Sequence, residues 1–412
     1  MPPPLDLDVN VPVLVFKIGR YVIHHGTVGI IRSLGRLGVP VYAIVEDRFT
    51  PAAMSSYLTD TFVWDTRGLD PERLLAGMAT IGERLGRPTI LVPTDDSAAA
   101  FVAEHAEALG KWFLFPQVPR TLPRQLANKK DLYFLCNSIG VSCPKAEFPN
   151  SIEDVYAFLE SSTLPVVVKA AAWQRLPRGA RSVSIARTPQ ELITIYQRAE
   201  SQESPNLVLQ EYIPPFCAED WIFNGYCNPH TNCFVAFTGK KLHSYPPFAG
   251  PTALGVSVLN ESLQRHNKLL MNAIAYSGIV DIDYVFDRRD GQYKLLDCNP
   301  RIGSSFRMFV DHYDVDVVRA LHLDLTGRRV QPSPELGGRT FIVEPYEMVA
   351  GLNYMRRGGL TVRAWWQSLQ GSRELAWLHR DDLKPFFSMC LRLMFHVVAR
   401  TLRKIKACLS ID

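Results

Sequence analysis

An Asp-Gly turn deep in the chain constrains the fold more than any other short stretch. Ile279–Phe286 and Gln292–Asp297 are two strand-like runs joined by Asp287-Arg-Arg-Asp-Gly291, the signature of an antiparallel hairpin. Upstream of residue 120 a different rule holds. Val11–Phe16, Pro40–Val45, Phe62–Trp64 and Thr89–Pro93 are short apolar runs. Between them lie stretches with helical spacing, at Ile30, Ile31, Leu34 and Leu37 and again from Glu72 to Leu85. That alternation predicts a parallel sheet with helices on both faces. The expected fold class is therefore mixed, with an α/β unit first and an α+β unit after it. A chain of 412 residues has room for two or three domains.

Prolines 116, 119 and 123 mark Phe115–Arg124 as a linker. Asn128–Gly140 reads as a helix capped by Asn128 and stopped by Gly140. Pro165–Lys169 is a strand ending in a lysine, and Asn206–Ile213 is a strand closed by Pro214-Pro215. A further helix is expected from Leu263 to Tyr276. These breaks suggest an α/β domain over 1–120 and a second domain over 121–330. A C-terminal extension over 331–412 completes the division. No internal repeat is visible.

Net charge is +4 from 45 basic and 41 acidic residues, too even for a surface built to bind nucleic acid. The eight cysteines include no C-x-x-C pair, which removes zinc-ribbon and thioredoxin readings and suggests reduced thiols. The N-terminus has neither the basic nor the apolar region of a signal peptide. No run of about 18 apolar residues suggests a membrane span. A cytoplasmic protein is the expectation.

The hairpin also carries chemistry. Asp281 and Asp283 alternate along one strand, so their carboxylates share a face. On the partner strand Asp297 and Asn299 do the same, and Arg301 follows. Hard oxygens at this spacing suit Mg²⁺ held against phosphates. Acids near a hairpin also serve simply to solubilise an exposed face. Upstream, Lys169 closes Val-Val-Val and Lys129 opens a helix. A lysine at the end of an apolar strand is costly to bury without an anion, although a lone lysine also snorkels to the surface.

The order of these pieces resembles the ATP-grasp superfamily. The matching segments are Asn128-Lys129, Pro165–Lys169, Leu209–Ile213, Lys241–Pro247, and Ile282–Phe286 with Leu296–Arg301. Within the superfamily the chain is most similar to carboxylate–amine ligases of the D-aspartate ligase and mycosporine-glycine ligase type. The resemblance covers residues 120–330, makes the preceding unit a pre-ATP-grasp domain, and implies a nucleotide lobe near 125–215 and a metal-site lobe near 216–330. It implies ATP with Mg²⁺ (or Mn²⁺) as cofactors, and small-molecule carboxylate and amine substrates, the latter an amino acid. The expected reaction forms an amide through an acyl phosphate and releases ADP and phosphate. Lys129 and Lys169 would meet the ATP phosphates, and Gln210, Glu211 and Ile213 the adenine. Glu219 or Asp220 would hold the ribose. Asp283, Asp297 and Asn299 match the metal ligands. Arg301 matches the residue that stabilises the acyl phosphate or orients the acceptor, and Lys241 is a further phosphate or carboxylate contact. The chain departs from the family in the loop Ala170–Ser182, which has one glycine and three arginines, Arg175, Arg178 and Arg181. That departure keeps a second expectation open, a catalytically degenerate nucleotide-binding or membrane-associated scaffold. A dehydrogenase would need a G-x-G-x-x-G fingerprint, which the first helix lacks.

Three further features stand out. His24–Gly29 opens the first helix either as an anion-binding turn near the carboxylate substrate or as a tight turn with a histidine cap. Tyr245–Gly250 is either a loop over the acceptor or an ordinary proline loop. Phe387, Leu391, Met394, Val398, Leu402, Ile405 and Leu409 form one helical stripe, in a segment with six Lys or Arg and no acid from Leu383 to Ile411. That helix either lies on an anionic membrane or docks on the protein body, with Trp365, Trp366 and Trp377 as packing anchors. A homodimer is a further open expectation.

Overall fold

The computed structural model describes residues 5–19, 21–171, 183–200, 205–231, 233–247, 250–331, 333–371 and 373–409. Most of the arginine-bearing loop, 172–182, lies outside the described residues.

The first unit runs β1 (Val13–Phe16), α1 (His25–Gly35), β2 (Val41–Val45), β3 (Asp60–Val63), α2 (Pro71–Leu85), β4 (Thr89–Pro93), α3 (Asp96–Glu104), α4 (Ala106–Leu109) and β5 (Phe113–Leu114). Its five strands lie in the order β3-β2-β1-β4-β5, all parallel, as the alternation of apolar runs and helices implied. Ligands of such sheets gather beyond the carboxyl ends of the strands. Lys17, Asp95 and Asp96 all sit there, just past β1 and β4.

The connection to the next unit is shorter than expected. α5 (Leu122–Ala127) already contains Pro123, which the first helical turn tolerates because its N–H needs no partner there. The small lobe then consists of α6 (Lys129–Ser138), β6 (Ala146–Glu147), α7 (Ile152–Ser161), β7 (Val166–Ala170), β8 (Val183–Ala186), α8 (Pro189–Ala199) and β9 (Leu207–Glu211). Asn128 caps α6 by accepting from the Lys130 and Asp131 amides. The lobe's sheet, β6-β9-β7-β8, packs on α7 and α8 around Val155, Val166, Val168, Leu192, Tyr196 and Leu209.

The large lobe follows as β10 (Ala218–Asn228), β11 (Cys233–Ser244), β12 (Thr252–Ser257), α9 (Glu261–Ala273), β13 (Gly278–Asp287), β14 (Gln292–Asn299) and α10 (Val317–Leu325). β13 and β14 form the expected hairpin, with Asp283 opposite Asp297 and Asp281 opposite Asn299. The register slips after Asp283, so that Tyr284 faces Leu295 and Leu296 bulges.

The C-terminal segment adds β15 (Thr340–Ile342), α11 (Glu344–Arg356), α12 (Val362–Ser368), β16 (Arg373–Leu375) and α13 (Lys384–Leu409). It is woven into the body rather than appended to it. β15 and β16 extend the large sheet to the order β14-β13-β10-β11-β12-β15-β16. One apolar core joins Val15 and Ile31 of the first unit, Ile222 and Phe237 of the large sheet, and Phe341, Trp377 and Met389 of this segment. The buried Arg32 pins it, with Nε 2.9 Å from Asp382 Oδ2 and Nη2 donating to the Trp377 and Asp382 carbonyls. Asp316 ties α1 to α10 in the same way, accepting from Ser33 Oγ at 2.6 Å and Arg307 Nη1 at 2.5 Å. Trp377 and Trp365 act as packing anchors, the latter donating to Glu347 and closing on Gly351, whereas Trp366 is exposed. None of Cys136, Cys143, Cys217, Cys227, Cys298 and Cys390 is part of a disulfide.

Candidate active site

One face of the large sheet carries the polar side chains that the hairpin pattern singled out. Directly opposed residues in an antiparallel pair share a face. β10 lies between β11 and β13, with Ile222 opposite Asp283 and Asn224 opposite Asp281. Asp220, Asp281, Asp283, Asp297 and Asn299 therefore project to the side on which the small lobe stands. The opposite side, with Trp221, Phe223, Ile282, Tyr284 and Cys298, is core.

Cations from three elements meet these acids. Lys241, on β11, lies 3.1 Å from Asp283 Oδ1. Lys129, at the start of α6, reaches Asp297 at 3.1 and 3.2 Å. Lys169, from β7, adds its positive field to Asp297, Asp283 and Asp220. Burial lowers the Lys169 ammonium to about 8, helped by the like charge of Lys129. Burial opposes charge on Lys241 as well, but Asp283 and Asp220 outweigh it and raise its pKa. The Asp297 carboxyl is pushed up by burial, yet Lys129, Lys169 and Arg301 leave it below the ordinary range. The result is two ammonium groups side by side across the seam between the lobes, facing acids set in register.

Glu219 and Asp220 are neighbours on β10 and so point to opposite faces. Glu219 pairs with Lys240 at 2.5 Å and with Arg288 at 2.7 Å, and hydrogen bonds from these two lower it to about 2. Asp220 feels Lys241, Asp283 and Lys169, on the side of the cleft. Of the two ribose candidates, the geometry brings Asp220 to the lysines and commits Glu219 elsewhere. Gln210 is buried in β9. The Glu211 amide donates to Lys145 O at 2.8 Å, and its carboxylate lies 2.5 Å from Arg289, so that side chain braces the lobes. Ile213 follows β9 half-buried.

Arg301 links this face to the first unit. Its Nε is 3.1 Å from Asp96 Oδ1, and its Nη2 donates to Asn299 Oδ1 at 2.8 Å. Burial disfavours the guanidinium's charge, but Asp96, Asp281 and Asp297 more than restore it. Asp96 is the residue that the sequence reading missed. Its signal was present in Pro93-Thr-Asp-Asp96, an acidic turn just beyond a parallel strand. Asp95 next to it caps α3, and burial raises it to about 6. A Cβ on Gly26 would lie 2.9 Å from the Ser304 Cα, so α1 begins against the turn that follows Arg301. His24 caps that helix by accepting from the Thr27 amide, which is the turn-and-cap alternative for this segment. Burial, His25, Lys17 and Arg301 together hold its imidazole neutral. Tyr245 stacks on Tyr346, with ring centroids 5.5 Å apart, and 248–249 of its loop lie outside the described residues.

Among the described residues no three His, Cys, Asp or Glu side chains cluster as a metal site. The donors here are two carboxylates in register and one amide oxygen. That set fits Mg²⁺, which takes one or two carboxylates and completes its octahedron from phosphates and water.

No protein-family model matches the chain. A D-aspartate ligase of Enterococcus faecium is 26% identical over 229 residues, 52% of this chain and 54% of that protein. The chain thus spans about half the length of that curated relative. Among solved structures, N5-carboxyaminoimidazole synthetase from Staphylococcus aureus, complexed with ADP, superposes with a TM-score of 0.59 at 11% identity. That match covers 79% of this chain and 80% of the other. The biotin carboxylase domain of Hydrogenobacter thermophilus 2-oxoglutarate carboxylase, solved as a dimer with MgADP and bicarbonate, gives 0.58 at 17% identity. It covers 78% of this chain and 71% of the other. The chain shares its fold with these ATP-grasp structures, and over about half of its length its sequence is similar to a D-aspartate ligase.

Proposed function

We propose that the protein is an ATP-dependent ligase that joins a small carboxylate to an amine, an amino acid by preference, and releases ADP and phosphate. The observation that carries this reading is the acid pair Asp283–Asp297, set in register and held between Lys241 and Lys129 with Lys169 alongside. Such a face is built to exchange internal ion pairs for an anion that arrives with its own cation.

A carboxylate acylates poorly because its oxygen is a bad leaving group. In the proposed reaction a substrate carboxylate oxygen attacks the γ-phosphorus of ATP, and the bond to ADP breaks. The amine then attacks the acyl phosphate carbon, phosphate leaves, and the amine proton passes to solvent. Asp283, Asp297 and Asn299 would hold Mg²⁺ (or Mn²⁺), which supplies neutralisation of phosphate charge. Lys129 and Lys169 would turn to the phosphates, Asp220 to the ribose, and Gln210 and Ile213 to the adenine. Lys241 and Arg301 stand where charge on the transferring phosphoryl and the acyl phosphate would need offsetting, and positioning of this kind supplies most of the catalysis. The arrangement of Asp96, Arg301 and the start of α1 supports a place for the carboxylate and amine between the first unit and the large lobe. The cytoplasm is the proposed compartment. Most of the loop whose departure favoured an inactive scaffold, 172–182 of Ala170–Ser182, lies outside the described residues. Among the described residues no helix is long and apolar enough to cross a membrane.

The test is phosphate release by the purified protein with ATP, Mg²⁺ and a panel of acids paired with amino acids. Release that requires both an acid and an amine is expected. Tight nucleotide binding without release across the whole panel would favour the scaffold.

A further inference from the structure

α13 carries two apolar lines, and only one of them is covered. Phe386, Met389 and Leu393 pack into the shared core, with Met389 only 2% exposed. Ser388 Oγ and Arg392 Nε donate to the Phe49 carbonyl at 2.7 and 3.1 Å, and Arg392 pairs with Asp47. These contacts fix the rotation of the helix. Phe387, Leu391, Met394, Phe395 and Val398 are thereby turned outward, with Phe387 62% and Phe395 61% exposed. Phe49, beside the start of the helix, is 74% exposed and widens the patch. The stripe legible in the sequence thus does not face the protein body over its described length. Its period continues in the sequence through Leu402, Ile405 and Leu409.

Charge selects the partner. From Leu383 to Ile411 the sequence has Lys384, Arg392, Arg400, Arg403, Lys404 and Lys406 and no acid. Pairing α13 with α13 of a second copy would bring these cations together with nothing on either helix to offset them. Nucleic acid offers the charge but no apolar surface for Phe387 and Phe395. An anionic lipid interface offers both. A helix of 26 residues spans roughly 39 Å, and it is not apolar enough to cross a bilayer, so it would lie in the interfacial plane. We infer that α13 is a peripheral membrane anchor, with the line from Phe387 to Val398 immersed at the headgroup boundary of an anionic leaflet.

The test uses the full chain and vesicles of phosphatidylcholine with one-third phosphatidylglycerol. Co-sedimentation is expected with these and not with phosphatidylcholine alone, and it should weaken steadily with salt. Replacing Arg400 and Arg403 by Gln should lower partitioning roughly 30-fold, about fivefold for each basic residue. Phe387→Ser with Phe395→Ser should abolish binding without loss of the folded state by circular dichroism. Phe395→Trp should shift its emission to the blue when anionic vesicles are added. Absence of binding at every salt concentration overturns the proposal. So does concentration-dependent dimerisation in ultracentrifugation that the Phe387→Ser, Phe395→Ser pair removes, since a second copy would then be the partner.

Discussion

The large sheet sits in a core shared with the first unit and the C-terminal segment, whereas the four-stranded lobe closes over a small core of its own. The large body is fastened by buried ion pairs, Arg32–Asp382 and Arg307–Asp316. The seam between the lobes is different. There Lys129–Asp297 and Arg289–Glu211 are partly solvated, and such pairs contribute about 0–1 kcal/mol each. The sheet β6–β9, held across this seam by weak ionic contacts, can give them up to an incoming polyphosphate, while the sheet that carries the acids and α6, whose Leu132 and Cys136 pack on it, keep their place. The contrast separates positions that set stability from positions that set ligand binding.

The largest expected effect lies on the rigid side. Asp297→Ala or Asn299→Ala should reduce ATP turnover more than about 10³-fold, ~4 kcal/mol in transition-state stabilisation, with the fold intact. Turnover within a few-fold of wild type at matched Mg²⁺ would remove these residues from the proposed metal site.

Next comes stability of the shared body. Arg32→Ala leaves Asp382 buried without its cation, and Asp382 also accepts from Ser55 Oγ and the Ser56 amide. The expected cost is about 3–5 kcal/mol in urea unfolding. A loss under 1 kcal/mol would mean that the C-terminal segment is fastened elsewhere.

A smaller effect should appear as pH dependence of nucleotide binding. The free protein holds Lys169 near 8, below its ordinary value, because burial and Lys129 disfavour its charge. Bound phosphates would raise that value again. Above pH 8, binding must therefore take up a proton, and ATP affinity should fall toward tenfold per pH unit, about 1.4 kcal/mol. Below pH 8 the ammonium is already present and this dependence vanishes. Lys169→Met should weaken binding and flatten the slope in calorimetry, whereas an unchanged slope would place the titration on another group.

The smallest effect marks the seam. Glu211→Gln weakens the contacts to Arg289 and Lys294 across the seam and should cost no more than about 1 kcal/mol of global stability. Faster amide exchange confined to β6–β9 would show that the lobes loosen separately, while a loss as large as that for Arg32→Ala would erase the contrast.

The same contrast explains what could be read from the sequence. Strands of the first sheet announced themselves as short apolar runs between helical stretches, and the hairpin by its Asp-Gly turn. β10, β11 and β12 went unread. β10 is buried along nearly its whole length, so Ala218–Asn228 shows no clean alternation, and polar Asn224 and Gly225 interrupt it. The acids and lysines of the cleft were legible because each carries a costly charge at a strand or helix end. Asp96 was not, because its meaning depends on Arg301, 205 positions away in the sequence. The separation of Glu219 from Asp220 needed only the direction of β10. The outward rotation of α13 could not be read either, since two apolar lines compete on that helix and the hydrogen bonds to Phe49 decide between them.

The central claim is that a carboxylate is activated at the γ-phosphorus. It is tested most directly by following oxygen-18 from a doubly labelled carboxylate substrate during turnover with ATP and the amine. One labelled oxygen is expected in each phosphate released, with ADP and not AMP as the nucleotide product. Pyrophosphate with AMP, or phosphate free of label alongside amide product, would contradict it.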